Sequence, residues 1–177
     1  MLPGDHGLEV IKEVGRGAFG RALLVKRTTD GLPMVVKEVE LKDLTAEERK
    51  GAFDEAEILR VLTEKDGGHV NIVRYHLTFE ARARLYIGME YANGGTLSSV
   101  IDDRRKMGDG PFDEGQVLEW TVQIAGALHH MHEQQILHRD MKVRLSPSLF
   151  FVLPQLFALK ILHRRHCPPE DPKRLSH

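Results

Sequence analysis

Apolar positions along the chain keep two different rhythms. Leu8 to Val14, Ala22 to Arg27 and Met34 to Val39 are short β-prone runs separated by the glycine-rich GRGAFG and the turn sequence TTDGLP, which predicts an antiparallel sheet. Thr45 followed by Glu48 makes a capping-box pattern, after which Ala52, Ala56, Leu59 and Leu62 share one face of a helix running to about Thr63, weakened slightly by Gly51. Two further strands are expected at about Tyr75 to Phe79 and Leu85 to Glu90, leading into YANGG as a hinge or turn. From Phe112 to His132 the positions Val117, Trp120, Ile124, Ala127, Leu128 and Met131 keep a helical spacing over several turns. The mixed charges of Ile101 to Gly110 read as an exposed loop after a short helix. Strands with one inserted helix, followed by helical sequence, point to an α+β fold in two lobes, with a crevice near Glu90 to Gly95.

Composition changes this picture only toward the C-terminus. The chain has 177 residues, enough for one good-sized core or two small lobes, and its formal charge of −1 supplies no overall attraction to nucleic acid or acidic membranes. Residues 143–177 carry six Lys/Arg against two Asp/Glu, whereas the preceding 142 residues carry 19 against 24. All 16 glycines lie at or before Gly126, and five of the eight prolines lie after Lys142. A divergent tail, disordered or packed by its apolar stretch Leu149 to Leu162, is therefore expected from Val143 onward. That stretch is interrupted by Pro154 and Lys160 and is shorter than the roughly 20 residues a bilayer span needs, so no membrane helix is expected. Cys167 is the only cysteine and the N-terminus lacks a signal-peptide pattern, which makes a cytoplasmic or nuclear setting the expectation.

The candidate chemistry begins with Gly15, Gly17 and Gly20, which stand at GxGxxG spacing. A dinucleotide-binding helix does not follow, since β-prone ALLVKR comes next; the choice is between an ordinary hairpin and a strand-loop-strand flap whose backbone N–H groups approach phosphates. Lys37 lies within the apolar VVKEV. It is either exposed on an edge strand or buried beside an anion, with Glu55 on the following helix as the candidate partner. HHMH (His129 to His132) and HRRHC (His163 to Cys167) raise zinc as a question, but no metal is expected at either, the second lacking matching ligands.

In this order the glycine loop, VVK, FDEAEIL, HVNIV, LYIGMEYANGGTL and ILHRDMK resemble a eukaryotic protein kinase over about Leu8 to Lys142. GRGAFG, KEV, MEYANGG and ILHRDMK are most similar to the NIMA-related serine/threonine branch. The resemblance implies a kinase-like small lobe over residues 1–92, the hinge and start of a helical large lobe over 93–142, and a tail unrelated to the family over 143–177. It further implies that Gly15, Gly17 and Gly20 cover the phosphates of ATP, with Val14 and Ala22 near the adenine, Ala22 being smaller than the family's usual Val. Lys37 would contact the α- and β-phosphates, held by Glu55. Backbone groups of Glu90 and Ala92 would hydrogen-bond the adenine edge, with Met89 behind it. Asp140 would orient the substrate hydroxyl, Lys142 would neutralise charge on the transferred phosphoryl group, and Arg139 would pair with a phosphorylated segment.

The pattern then breaks. Five residues after Asp140, where the family has a magnesium-binding Asn, this chain has Leu145, which has no donor for the ion. Residues 146–177 contain no glycine and hence no DFG, and their only Asp, Asp171, precedes Pro172. The expectation is a serine/threonine kinase family member, truncated after its catalytic loop and impaired in transferring the γ-phosphoryl group of ATP to a protein hydroxyl. Its alternatives are a non-catalytic ATP-binding interaction module and a fragment without function. ATP and a protein substrate are the implied partners, Mg²⁺ is implied by the family without its usual ligands, and neither nucleic acid nor membrane is expected.

Overall fold

The computed structural model describes residues 3–17, 20–93 and 97–138. A short 3-10 turn, Pro3–His6, precedes five strands: β1 (Leu8–Gly17), β2 (Gly20–Arg27), β3 (Pro33–Glu40), β4 (Tyr75–Ala81) and β5 (Arg84–Glu90). They form one antiparallel sheet in the order β1-β2-β3-β5-β4. Helix α1 (Ala46–Glu64) lies between β3 and β4 in sequence, and α2 (Leu97–Met107) and α3 (Glu114–Glu133) follow the sheet. The α+β class expected from the apolar rhythm is the one found.

Strand alternation gives the sheet two different faces. Leu8, Leu23, Val25, Met34, Val36 and Tyr86 are buried on one. Val39, Leu85 and Ile87 lie on the other, packed against Ala52, Ala56, Leu59 and Leu62 of α1. Those four α1 positions are the ones whose spacing predicts a helix, because they fall three or four residues apart and so share one side. Burying each leucine there contributes about 2 kcal/mol.

The start of α1 is set locally. The Thr45 hydroxyl accepts the Glu48 N–H at 3.2 Å, and the Glu48 carboxylate accepts the Thr45 N–H at 2.8 Å. These bonds to the charged form hold the Glu48 carboxyl below its usual range. At the other end the Thr63 hydroxyl donates to the Leu59 carbonyl at 2.8 Å and accepts the Tyr75 N–H at 3.0 Å, so the last turn of α1 is tied to the start of β4.

α3 docks on the C-terminal part of α1 through Ala127 and Met131. His130 Nε2 lies 3.2 Å from the Leu62 carbonyl, and Asn71 Nδ2 donates to Gln123 Oε1 at 3.0 Å. His69 fits against Gly126, where a Cβ would stand 3.3 Å from its Nε2, and its Nδ1 accepts the Asn71 N–H at 3.1 Å. Burial and the neighbouring His130 hold the His69 imidazole below its ordinary range, which favours the neutral form that can accept this bond.

Two expectations are corrected. Ile101 to Met107 is not loop: α2 continues through Met107, its charged residues being a solvated helical face, and Arg104 closes the end by donating to the carbonyls of Asp109, Gly110 and Pro111 at 2.9–3.1 Å. Val117, placed by spacing on the apolar stripe of α3, is 46% exposed, as are its neighbours Leu118 and Val122 to 55% and 70%, while Trp120 is buried against Phe112. The periodicity identifies a helix; it does not say how much of the stripe the described neighbours cover. The tail, Cys167 and HRRHC lie outside the described residues.

The β4–β5 hairpin closes through only Arg82 and Ala83, with φ of 51° and 55°. A two-residue turn matching strand twist needs positive φ at both positions, a conformation that costs a non-glycine residue about 1 kcal/mol. Ala83→Gly is therefore expected to stabilise the protein by about 0.5 kcal/mol after the entropy of the unfolded glycine is subtracted, read as a higher urea midpoint at unchanged m-value.

Candidate functional site

Lys37 lies in the central strand rather than at an edge, which decides between the two environments open to it. Its Nζ donates to both Glu55 carboxylate oxygens at 2.7 Å, and the two side chains are 15% and 10% exposed. Each half of the pair comes from a local pattern. Lys37 shares the α1-facing side of β3 with Val39 by strand alternation, and Glu55 sits beside Ala56 on the edge of the buried α1 face. Burial pushes the Glu55 carboxyl above its usual range, and the Lys37 ammonium counters that shift.

The cross-strand register brings Gly15 and Ala22 into line with Lys37. Gly15 is opposite Ala22, Ala22 is opposite Lys37, and Lys37 is opposite Ile87, forming one row across four strands. Neighbouring strands are about 4.8 Å apart, which puts Gly15 about 10 Å from the Lys37 backbone. Gly17 faces Gly20 at the end of the β1–β2 hairpin. Val14 is the extra residue of a β-bulge between Glu13 and Gly15 and is 38% exposed, whereas Ala22 is fully buried.

Along the same face, Leu24 is opposite Val35 and Val35 is opposite Met89, so a second row of apolar side chains runs beside the first. Val35 and Leu24 are buried, and Met89 is half-buried against the α1 core. Neither Val35 nor Leu24 was singled out from sequence, although the alternation in MVVK already puts Val35 on the side of Lys37. Glu90 ends β5, its N–H donating to the Arg74 carbonyl at 2.8 Å and its carboxylate accepting the Arg74 N–H at 3.2 Å. Ala92 is exposed just beyond it. Arg139, Asp140, Lys142 and Leu145 lie outside the described residues, as do Gly94 and Gly95.

Gly20 has a specific steric reason. A Cβ there would stand 1.8 Å from the Glu38 carbonyl oxygen, so only glycine lets β2 approach β3 this closely. The arrangement thus offers an oriented ammonium, a backbone-lined hairpin and an apolar row on one face of one sheet, which suits a ligand with a planar apolar part and an anionic part. Two of the three histidines of HHMH are engaged otherwise: His130 approaches the Leu62 carbonyl and His129 approaches Glu133. Among the described residues no group of three His, Cys, Asp or Glu side chains is placed to hold a metal ion.

Breaking a buried pair leaves its surviving charge without compensation. Lys37→Met is expected to destabilise the protein by about 3 kcal/mol at neutral pH, and Lys37→Met with Glu55→Leu to recover most of that loss. In the single variant Glu55 loses the ammonium that lowers its pKa, so its carboxyl rises further above 4.5. A carboxyl raised in the folded state favours folding at low pH, and this contribution disappears as pH climbs through the raised value. The deficit against wild type should therefore widen from pH 4.5 to pH 8, measured by chemical denaturation at several pH values.

Known sequences place this arrangement. A model of the protein kinase domain matches residues 8–144. The probable serine/threonine-protein kinase nek3 of Dictyostelium discoideum is 40% identical over 136 residues, which cover 77% of this chain and 12% of that protein. Serine/threonine-protein kinase Nek1 of Mus musculus is 39% identical over 132 residues, 75% of this chain and 10% of Nek1. Serine/threonine-protein kinase Nek8 of Danio rerio is 40% identical over 136 residues, 77% of this chain and 18% of Nek8. The chain spans less than a fifth of the length of these relatives. The family match begins at the first residue of β1 and runs past the last described residue, so the whole sheet and its helices fall within it, and the chain belongs to the protein kinase family, related to its NIMA-related serine/threonine members.

Proposed function

We propose that this chain binds ATP on the α1-facing side of its sheet and transfers the γ-phosphoryl group to a protein Ser or Thr hydroxyl at best very weakly. The observation that carries the nucleotide half is the Lys37 ammonium, held by both oxygens of Glu55 at 2.7 Å and in one cross-strand row with Ala22 and Gly15. An oriented cation beneath a glycine hairpin suits polyphosphate, and the apolar row Leu24, Val35 and Met89 offers a side for a purine. Glu90 and Ala92 follow directly on that surface, where backbone groups meet the edge of the base in this proposal.

The catalytic half rests on Asp140 as the residue that orients the hydroxyl and on Lys142 as its cationic neighbour. Magnesium, which the family uses to neutralise phosphate charge, does not fit the donors of this chain. Leu145 stands where the family has an Asn oxygen, and its side chain carries no oxygen. Phosphoryl transfer depends mainly on positioning and charge neutralisation, so a missing metal ligand lowers the rate while leaving the Lys37 contact in place.

The second reading, a nucleotide-dependent interaction module without catalysis, is favoured by the same contrast between an intact Lys37–Glu55 pair and Leu145. Two measurements separate the possibilities. ATP should raise the melting temperature, and Lys37→Ala should abolish most of that rise; a wild-type melting curve indifferent to ATP rejects the nucleotide site. Radiolabelled phosphate incorporation into a generic protein substrate should be about equal for wild type and Asp140→Ala, or differ by no more than about tenfold, against the 10³-fold or greater loss expected from a fully assembled site. A larger difference rejects the impaired-transfer proposal.

A further inference from the structure

Two independent contacts fasten β2 to β3 at the hairpin end, on either side of the backbone. Gly20 approaches the Glu38 carbonyl so closely that a Cβ would stand 1.8 Å from its oxygen. The next residue, Arg21, donates through Nε and Nη2 to the two Glu38 carboxylate oxygens at 3.0 and 3.2 Å. Glu38 is nearly buried, its side chain 7% exposed, and Arg84 of β5 approaches it to 3.5 Å from the other side. Arg21 also lies 3.8 Å from Glu13, which accepts two bonds from Arg16 at 2.9 and 2.7 Å. The chain of charges Glu38–Arg21–Glu13–Arg16 thus crosses β3, β2 and β1 and ends between Gly15 and Gly17.

This chain of charges is on the face opposite Lys37, because Glu38 follows Lys37 directly and successive strand residues point to opposite sides. An apolar residue at position 38 would join Leu23, Val36 and Tyr86 without the desolvation cost of a carboxylate. What a carboxylate adds is direction: a bidentate arginine pair fixes both distance and angle, and here it joins the strand that holds Lys37 to the strands that hold the three glycines.

We propose that Glu38 is a positioning residue, which with Arg21 holds the glycine hairpin at the height above Lys37 that a triphosphate requires, setting phosphate affinity without touching the nucleotide. It rests on the ATP-binding reading above. Its signature is selectivity: displacing the hairpin weakens contacts to phosphate, while Val35 of β3 and Met89 of β5, beneath the base, stay where they are. A bare charge effect has the opposite sign, since removing the Glu38 carboxylate leaves the region more positive and should tighten ATP.

Isothermal titration of the full chain with ATP and with adenosine tests this in wild type, Glu38→Gln and Arg21→Lys, the last keeping the charge but losing the two-point grip. The dissociation constant for ATP should rise about five- to tenfold in both variants, with adenosine unchanged within about twofold. Tighter ATP binding in Glu38→Gln, equal losses for ATP and adenosine, or a folded Arg21→Lys variant with wild-type affinity overturns the positioning role. If Glu38→Gln does not fold, Arg21→Lys decides alone. Wild-type protein that binds neither ligand removes the nucleotide reading and the positioning role together, whereas wild-type binding with indistinguishable variants removes the positioning role only.

Discussion

A lysine ammonium in the middle of a five-stranded sheet is tolerable only with a partner, and the position of Glu55 is the condition on which the rest of this structure depends. Desolvating both charges is costly, and the cost is offset only when the geometry is good and both carboxylate oxygens are used, as they are at 2.7 Å. Meeting that condition constrains α1 in rotation and in height over the sheet. The capping box at Thr45 and Glu48 sets where the helix begins, Ala52, Ala56, Leu59 and Leu62 set which side faces the strands, and Thr63 ties its end to Tyr75. The ion pair and the apolar packing therefore select the same orientation, so neither is achieved at the expense of the other.

The sheet divides its labour between faces. On the side of α1, the Lys37 row and the Leu24–Val35–Met89 row present charge and apolar surface side by side. On the opposite side His6 stacks on Phe79 with ring centroids 3.8 Å apart, and Phe79 on Tyr86 at 4.7 Å, beside the Glu38–Arg21–Glu13 charges. A sheet built this way transmits position laterally, since displacing β2 relative to β3 disturbs contacts on both faces at once. α3 supports the arrangement from below through His130 at the Leu62 carbonyl and Gln123 at Asn71. Asp140, to which the proposed chemistry is assigned, lies just beyond that support in sequence.

Much of this was legible in the amino-acid order because it is set by local rules. Alternation and turn composition locate the strands to within about three residues, the capping box names the first turn of α1, and helical spacing names its buried side. The ordered motifs from the glycine hairpin to ILHRDMK were enough to suggest the family. Other features had no local signal. Arg82 and Ala83 carry none of the Gly or Asn that marks a two-residue hairpin, and charged Ile101 to Met107 gave no apolar stripe by which to see the helix.

From its sequence alone this protein determined its strand and helix periods and the identity of its candidate phosphate-binding lysine, since each depends on residues near one another or on one side chain's chemistry. Only the tertiary structure decided that Lys37 is central and paired, that Leu24 shares its face, and that Glu38 joins Arg21 across the strands. Those are matters of register and of contact between residues 17 or 18 positions apart. Sequence spacing says nothing of such contacts until the sheet is assembled.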